Sequence, residues 1–256
     1  MKKGIILLML LVPHLQAVQQ LPDATSIMVR TRDMTMTGSI KSTITLVITE
    51  KSGMTRKRTI SMVTKSYGDG SEKRMIKFLQ PPDVRGTALL IIDNKNTADE
   101  MWIYLPALKK TRRIVSSENG KSFMNSEFSN SDMTSPSLTD FTFKHLQGSG
   151  ENKECIIEST PVNSELADDY GYSRKVSYFS SDNWQIKRME FYNYDNQLFK
   201  TIIINNTLSL KDGKYIVQDM TAKNLISGRS SEIIMDNIST EALIKDSVFS
   251  LQNLER

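Results

Sequence analysis

The chain has 256 residues, with 33 Lys and Arg set against 29 Asp and Glu, and it contains one cysteine. A lone Cys155 excludes an intramolecular disulfide, and a net charge of +4 is too near balance to mark a nucleic-acid binder. His14 falls in a leader-like start and leaves His145 as the one histidine beyond it, so the usual His/Cys zinc sites are excluded as well.

Lys2 and Lys3 precede an apolar run from Ile5 to Val12, then Pro13 and the small residue Ala17. Charged, apolar, small is the order of a secretory signal peptide, here residues 1–17, and the run falls short of the roughly 20 apolar residues that a bilayer span needs. Without Lys2 and Lys3 the balance becomes 31 basic against 29 acidic residues, a net +2. No cysteine follows the run to carry a lipid anchor. Residues 18–256 suit one large all-β domain with a substantial core.

Pro22 and Asp23 open a predicted helix over Leu21–Met34 that carries Ile27 and Met28. From Gly38 the period changes to two: Ile40, Ser42, Ile44, Leu46 and Ile48 share one face of a strand, with Lys41, Thr43, Thr45 and Thr49 on the other. Ser52-Gly53 and Gly68-Asp69-Gly70 turn the chain into Met54–Ser66 and Glu72–Leu79, which makes a meander. Pro81 and Pro82 end the third strand because proline donates no ladder hydrogen bond.

Ala88–Ile92 is apolar at every position and predicts a strand covered on both faces; Glu100–Leu105 is the next, stopped by Pro106. The basic run Lys109, Lys110, Arg112 and Arg113 has two readings, a contact with anionic head groups or an acidic partner, and a strand edge guarded by charge. Ser116–Ser137 is a long Ser/Asn/Gly loop, a length usually tied to function or mobility.

Thr139–Leu146, Glu154–Thr160, Arg174–Ser180, Gln185–Tyr194 and Gln197–Asn205 return to strand pattern. Asp212-Gly213 is the clearest hairpin signal and leads to Lys214–Asn224 and Arg229–Ile238, with Ser250–Arg256 left as a tail. The pattern gives about ten or eleven antiparallel strands.

Catalytic chemistry is hard to find. His145 shares a predicted face with Phe141 and Phe143 and reads as a partly buried strand residue; Cys155 beside Ile156 and Ile157 reads as a small hydrophobe. Gly68-x-Gly70 is too short to be a phosphate loop, and Asp168-Asp169 reads as a solvated turn. No nucleophile and base stand out as a pair, so the expectation is a non-enzyme with no cofactor and no metal. Twelve of the fourteen methionines lie beyond residue 17; they suit ordinary core filling or an adaptable apolar cavity.

One stretch carries a family pattern. Phe78-x-x-Pro81-Pro82-Asp83-Val84-Arg85-Gly86-Thr87, then Asp99-Glu100-Met101-Trp102-Ile103-Tyr104-Leu105-Pro106-Ala107-Leu108, then Arg112-Arg113-Ile114 and Ser122-Phe123-Met124-x-Ser126-Glu127-Phe128 closely resemble the outer-membrane lipoprotein-sorting protein family, the LolA-like periplasmic proteins. The ending Ser247-Val248-Phe249-Ser250-Leu251-x-x-Leu254 is similar to that family's tail, whereas Asn125-Ser126-Glu127-Phe128 stands where the family usually has Gly-Ser-Asp-Phe.

The resemblance implies a mainly β fold: a strongly curved antiparallel sheet, an incomplete barrel, whose concave apolar face is closed by a few short helices and loops. It implies a periplasmic, monomeric carrier that shields a lipid or lipoprotein acyl chain on its way to the outer membrane. On that reading Ile44, Leu46, Phe78, Trp102, Tyr104 and Phe123 are expected to line the cavity, with Met101, Ile103 and Leu105 as the exchange set if the other face of that strand points inward. Phe123, Met124 and Phe128 are expected to form a lid, and Lys109, Lys110, Arg112 and Arg113 to meet a partner or head groups. The alternative is an envelope sensor or adaptor that binds a protein, such as an inner-membrane transporter of the resistance-nodulation-division type, through the same half-barrel.

Overall fold

The structure is a computed structural model that describes residues 22–95, 97–146, 154–240 and 242–255; the expected signal peptide, residues 1–17, lies outside them. Helix α1 (Ala24–Thr35) starts as the Pro22-Asp23 signal predicts, because the Asp23 carboxylate accepts the backbone N–H of Ser26 at 3.0 Å. Strands β1 (Ser39–Thr49), β2 (Thr55–Ser66), β3 (Glu72–Gln80), β4 (Ala88–Asp93), β5 (Glu100–Leu105) and β6 (Lys110–Ile114) form one meander. A second contains β7 (Phe141–Leu146), β8 (Glu154–Pro161), β9 (Arg174–Ser180), β10 (Ile186–Tyr192), β11 (Leu198–Ser209), β12 (Tyr215–Asn224) and β13 (Ser230–Ser239). Helix α2 (Ser164–Tyr170) joins β8 to β9, and the turn α3 (Leu251–Leu254) ends the described chain.

All thirteen strands belong to one antiparallel sheet in the order β6-β5-β4-β3-β2-β1-β13-β12-β11-β10-β9-β8-β7. Thirteen exceeds the ten or eleven expected; twelve of them fall on runs read as strands, and the other, β6, on the basic run Lys109–Arg113. The first and last strands pair in the middle, with Ile44 opposite Met235 and Leu46 opposite Ile233. β6 and β7 are left as the two edges, so the sheet does not close into a barrel. Residues 115–140 run from one edge to the other.

Alternation assigns the faces. Ile44, Leu46 and Ile48 of β1 join Ile60, Phe78, Leu89, Ile103, Phe191, Ile202 and Ile233 in one cluster. On this face Arg74 of β3 and Lys200 of β11, five places apart in the sheet, reach the adjacent residues Met133 and Asp132, which only the inside of a bend allows, so this face is concave. The other face of β3–β5 packs Met75, Ala88, Leu90, Trp102 and Tyr104 against Ile244, Phe249 and Leu254 of the C-terminal segment. Residues 88–92 of β4 are therefore all apolar because both faces of the strand are covered. The expected tail, Ser250–Arg256, is corrected here: residues 251–254 form α3, and Leu254 is buried.

Helix α1 lies at the end of the sheet where β7 finishes and β12 begins. The carbonyl of Pro22 lies 2.8 Å from His145 Nε2, and the carbonyl of Met36 accepts from Lys214 Nζ at 2.6 Å. The Asp212-Gly213 turn forms as predicted, with φ of 60° and 72°, the left-handed values a tight hairpin needs.

Candidate functional site

The concave face is occupied by its own chain. In the edge-to-edge strap, residues 115–140, Phe123 N–H donates to the Phe128 carbonyl at 2.7 Å and Ser126 N–H to the Phe123 carbonyl at 3.0 Å. Met124 and Asn125 take φ of 50° and 62° between them. This tight primed turn drives two aromatic rings the same way: Phe123 is 2% exposed, Phe128 is 0% exposed, and the Phe123 ring stands 6.3 Å from that of Phe78.

Four cations of the sheet hold the strap, mostly by its backbone. Arg58 of β2 donates to the Met124 carbonyl and Arg74 of β3 to that of Met133. Arg229, just before β13, donates to the Asn125 carbonyl at 3.0 Å; its guanidinium also lies 3.0 Å from Glu127 and from Glu50. Lys200 of β11 pairs with Asp132 at 2.7 Å. A fifth link needs glycine: Gly120 N–H donates to the Asp169 carbonyl at 2.7 Å, and a Cβ at Gly120 would stand 2.9 Å from the backbone of Gly171.

Arg74 is also the centre of a buried charge cluster, 2.8 Å from Glu72 through Nε and 2.9 Å from Asp93. Burial alone would lower the Arg74 pKa, but the Glu72 and Asp93 carboxylates raise it overall. Burial raises Asp93, and burial followed by the Asp93 charge pushes Asp99 up to about 7. Farther along the same face, Phe141, Tyr170, Tyr172 and Phe191 form an aromatic nest, with Lys200 Nζ 4.1 Å from the Phe191 ring centre. Lys175 also faces this nest, and burial lowers its pKa.

The structure divides the residues singled out as a lining. Ile44, Leu46, Phe78 and Phe123 meet in the concave cluster, joined by Phe128 and half-buried Met124. Trp102 and Tyr104 do not; they point to the convex side, opposite Leu90 and Ala88, and pack under the C-terminal segment. Their neighbours Met101, Ile103 and Leu105 take the inward positions. The basic run is likewise not one patch. Lys109 and Lys110 are exposed at the β5–β6 turn, Arg112 is tied to Glu118 at 2.8 Å, and Arg113 stands beside Trp102 on the opposite face.

The inward cations were not singled out by the sequence reading, although a signal exists: Arg58 shares parity with Ile60, Arg74 with Ile76, and Lys200 with Ile202. Nor was the meeting of His145 and Cys155, whose Nδ1 and Sγ lie 3.7 Å apart across the β7–β8 hairpin. With Nε2 2.8 Å from a carbonyl, the imidazole donates there and accepts the thiol proton at Nδ1. Burial raises the Cys155 pKa, so the sulfur stays a thiol and is not an activated thiolate. Among the described residues no cluster of three or more His, Cys, Asp or Glu could hold a metal ion, and no helix is long and apolar enough to cross a membrane.

One surface hollow, of about 460 Å³, lies between α1 and the β11–β12 turn; another, of about 540 Å³, lies against Thr45, Lys57, Thr59 and Pro82 on the convex side.

A family model described only as that of an uncharacterized protein matches residues 70–256. Among solved structures, an outer membrane lipoprotein-sorting protein domain from Vibrio parahaemolyticus is 24% identical, with a TM-score of 0.82 over 91% of this chain and 98% of that one. A DUF1329 family protein from Desulfovibrio piger is 25% identical, with a TM-score of 0.79 over 90% and 97%. A LolA superfamily protein from Nitrosomonas europaea is 16% identical, with a TM-score of 0.68 over 90% and 98%. No curated protein matches the chain.

Proposed function

We propose, from the premise that this chain belongs to the family whose model spans residues 70–256 and has the LolA-like fold of the outer-membrane lipoprotein-sorting proteins, that it is a non-enzymatic carrier. Its cargo is a lipid or a lipoprotein acyl chain, shielded on the concave face while crossing the periplasm towards the outer membrane. One observation carries this reading: the apolar concave face of an unclosed sheet is covered by a polar strap that inserts Phe123 and Phe128.

The energetics suit exchange. Each methylene withdrawn from water gains about 0.8 kcal/mol, so an acyl chain on this face gains on the order of 10 kcal/mol before ordering costs. Displacing the two rings loses part of that, and the strap's cation contacts are to backbone carbonyls and carboxylates that water can replace. Ile44, Leu46, Phe78, Met101 and Ile103 would then line the bound chain, with Phe123, Met124 and Phe128 as the movable part.

The test is lipid extraction from the purified protein followed by mass spectrometry, on the natural chain and on Phe123→Ser/Phe128→Ser. The expected result is a co-purifying lipid whose retention changes more in the variant than its melting temperature does. Equal loss of both removes the lid role, and absence of lipid from both proteins overturns the carrier. The close seating of Phe123 and Phe128 favours one second reading, an envelope adaptor with a filled interior that docks a protein such as a transporter of the resistance-nodulation-division type. Lipid-free protein that captures such a transporter supports it.

A further inference from the structure

In an antiparallel meander alternate turns fall at the same end of the sheet, and here the two ends differ in chemistry. At one end lie the β1–β2, β3–β4, β5–β6 and β12–β13 turns, since Thr49 pairs with both Thr55 and Ser230 and Leu105 pairs with Lys110. This end exposes Met54 (63%), Leu79 at the close of β3, Leu108 (67%) and Ile226 (63%). The opposite end carries the hairpin turns Gly68-Asp69-Gly70, Asp182-Asn183 and Lys211-Asp212-Gly213, which expose no large apolar side chain; its exposed apolar residues, Val29, Val115 and Leu243, are scattered on α1, after β6 and after β13.

Single exposed apolar residues are ordinary, but several gathered on adjacent turn tips are not. The tips are also neighbours. A Cβ at Gly86 would meet Pro106 at 3.6 Å, which joins the β3–β4 and β5–β6 turns. One at Gly228 would meet Lys51 at 3.3 Å, which joins the β12–β13 and β1–β2 turns. Interleaved with the tips are four exposed cations, Lys51, Arg85, Lys109 and Lys110. Of the acids in these turns, Glu50 is engaged by Arg56 and Arg229, and Asp83 is exposed. Farther round the same end, by β8–β11, exposed Val162 and Tyr194 sit among the exposed acids Glu165, Asp168 and Asp195. The apolar-and-basic character therefore belongs to one arc.

We infer that this arc docks the protein on an anionic lipid bilayer, with Met54, Leu79, Leu108 and Ile226 entering the headgroup boundary and the four cations meeting anionic headgroups. Charge complementarity selects the occupant. Separate tips spaced by cations do not make the contiguous apolar core that a protein interface buries, whereas each tip can enter a bilayer surface independently. The Phe123–Phe128 turn lies just inside this arc, because Arg58 and Arg229, which grip it, stem from the same end of the sheet. The inference stands on the arc alone and goes beyond the carrier reading: a protein that retains no lipid would still dock.

The experiment is flotation of the full chain with vesicles of phosphatidylcholine alone and of phosphatidylcholine with phosphatidylglycerol, at low and high salt. Binding is expected to the anionic vesicles, reversed by salt. Lys109→Glu/Lys110→Glu is expected to weaken it roughly tenfold or more. Leu108→Ser/Ile226→Ser weakens it with an unchanged melting temperature, and Lys211→Glu at the opposite end leaves it unaltered. Failure to bind anionic vesicles at low salt, binding that ignores the arc variants, or an equal loss in Lys211→Glu overturns the inference. None of these outcomes alters the lipid mass spectrum that tests the carrier.

Discussion

Both faces of β3–β5 are apolar and both are covered by irregular chain, yet the two covers are built differently. On the convex side the C-terminal segment contributes apolar side chains, Ile244, Phe249 and Leu254, seated against Met75, Ala88 and Leu90. On the concave side the strap contributes two phenylalanines in a stretch otherwise rich in Ser and Asn, gripped by Arg58, Arg74, Lys200 and Arg229. A cover held by apolar burial is part of the core; one held by hydrogen bonds to carbonyls can open locally, because water substitutes for each contact.

The largest expected effect breaks the convex cover. Phe249→Ala should cost about 3–5 kcal/mol of global stability, read as a lower urea midpoint with unchanged slope. Fraying of residues 242–254 alone, with the midpoint kept, would erase the contrast between the covers. Next comes the strap. Arg229→Met should raise hydrogen exchange at the Phe123 and Ser126 amides about tenfold, for loss of roughly 1.5 kcal/mol locally, with a smaller change in the global midpoint. Exchange that rises evenly over all strands would place the strap in the global unfolding unit.

The smallest effect is one of pH, and its sign differs between the two sides. Asp99, beside the Arg74 cluster on the concave side, holds a proton up to about pH 7 that the unfolded chain releases near pH 4. Its contribution is thus complete below about pH 4 and is lost as pH rises through about 7. Asp99→Asn should raise the melting temperature by a few degrees at pH 8 and leave it unchanged at pH 4. Asp246 on the convex side is held below its ordinary value by hydrogen bonds from Lys65 and Tyr67, so its contribution is lost on acidification. Asp246→Asn should therefore flatten the acid limb of the same curve. A single shared limb would show that the two sides titrate as one.

Much of this arrangement is legible in residue order, and the failures have specific causes. Ile44, Leu46 and Ile48 alternate with threonines, so β1 displays its buried face openly. In β5, Met101, Ile103 and Leu105 alternate with Trp102 and Tyr104, and all five are apolar because both faces are covered; periodicity then carries no sign to say which set points inward. Leu254 seemed to belong to a tail because its partners, Ala88 and Leu90, are more than 150 positions away. His145 and Cys155 meet only once the register of β7 on β8 is known. The inward Arg and Lys residues look like solvated strand positions until the strap arrives to accept their hydrogen bonds. The apolar turn tips were visible singly, and only the parity of the turns gathers them at one end.

The pairing of β1 with β13 has one further consequence. Every ladder in the sheet is fixed by neighbouring turns or by that central seam, and none of them runs through residues 115–140. A peptide cut within the strap would leave two complementary fragments, six strands and seven, still zipped by eleven-residue β1 against ten-residue β13. By the same logic, this crossing can be lengthened or shortened without shifting a strand by one residue. It is the part of the molecule in which residues can change while every strand keeps its register.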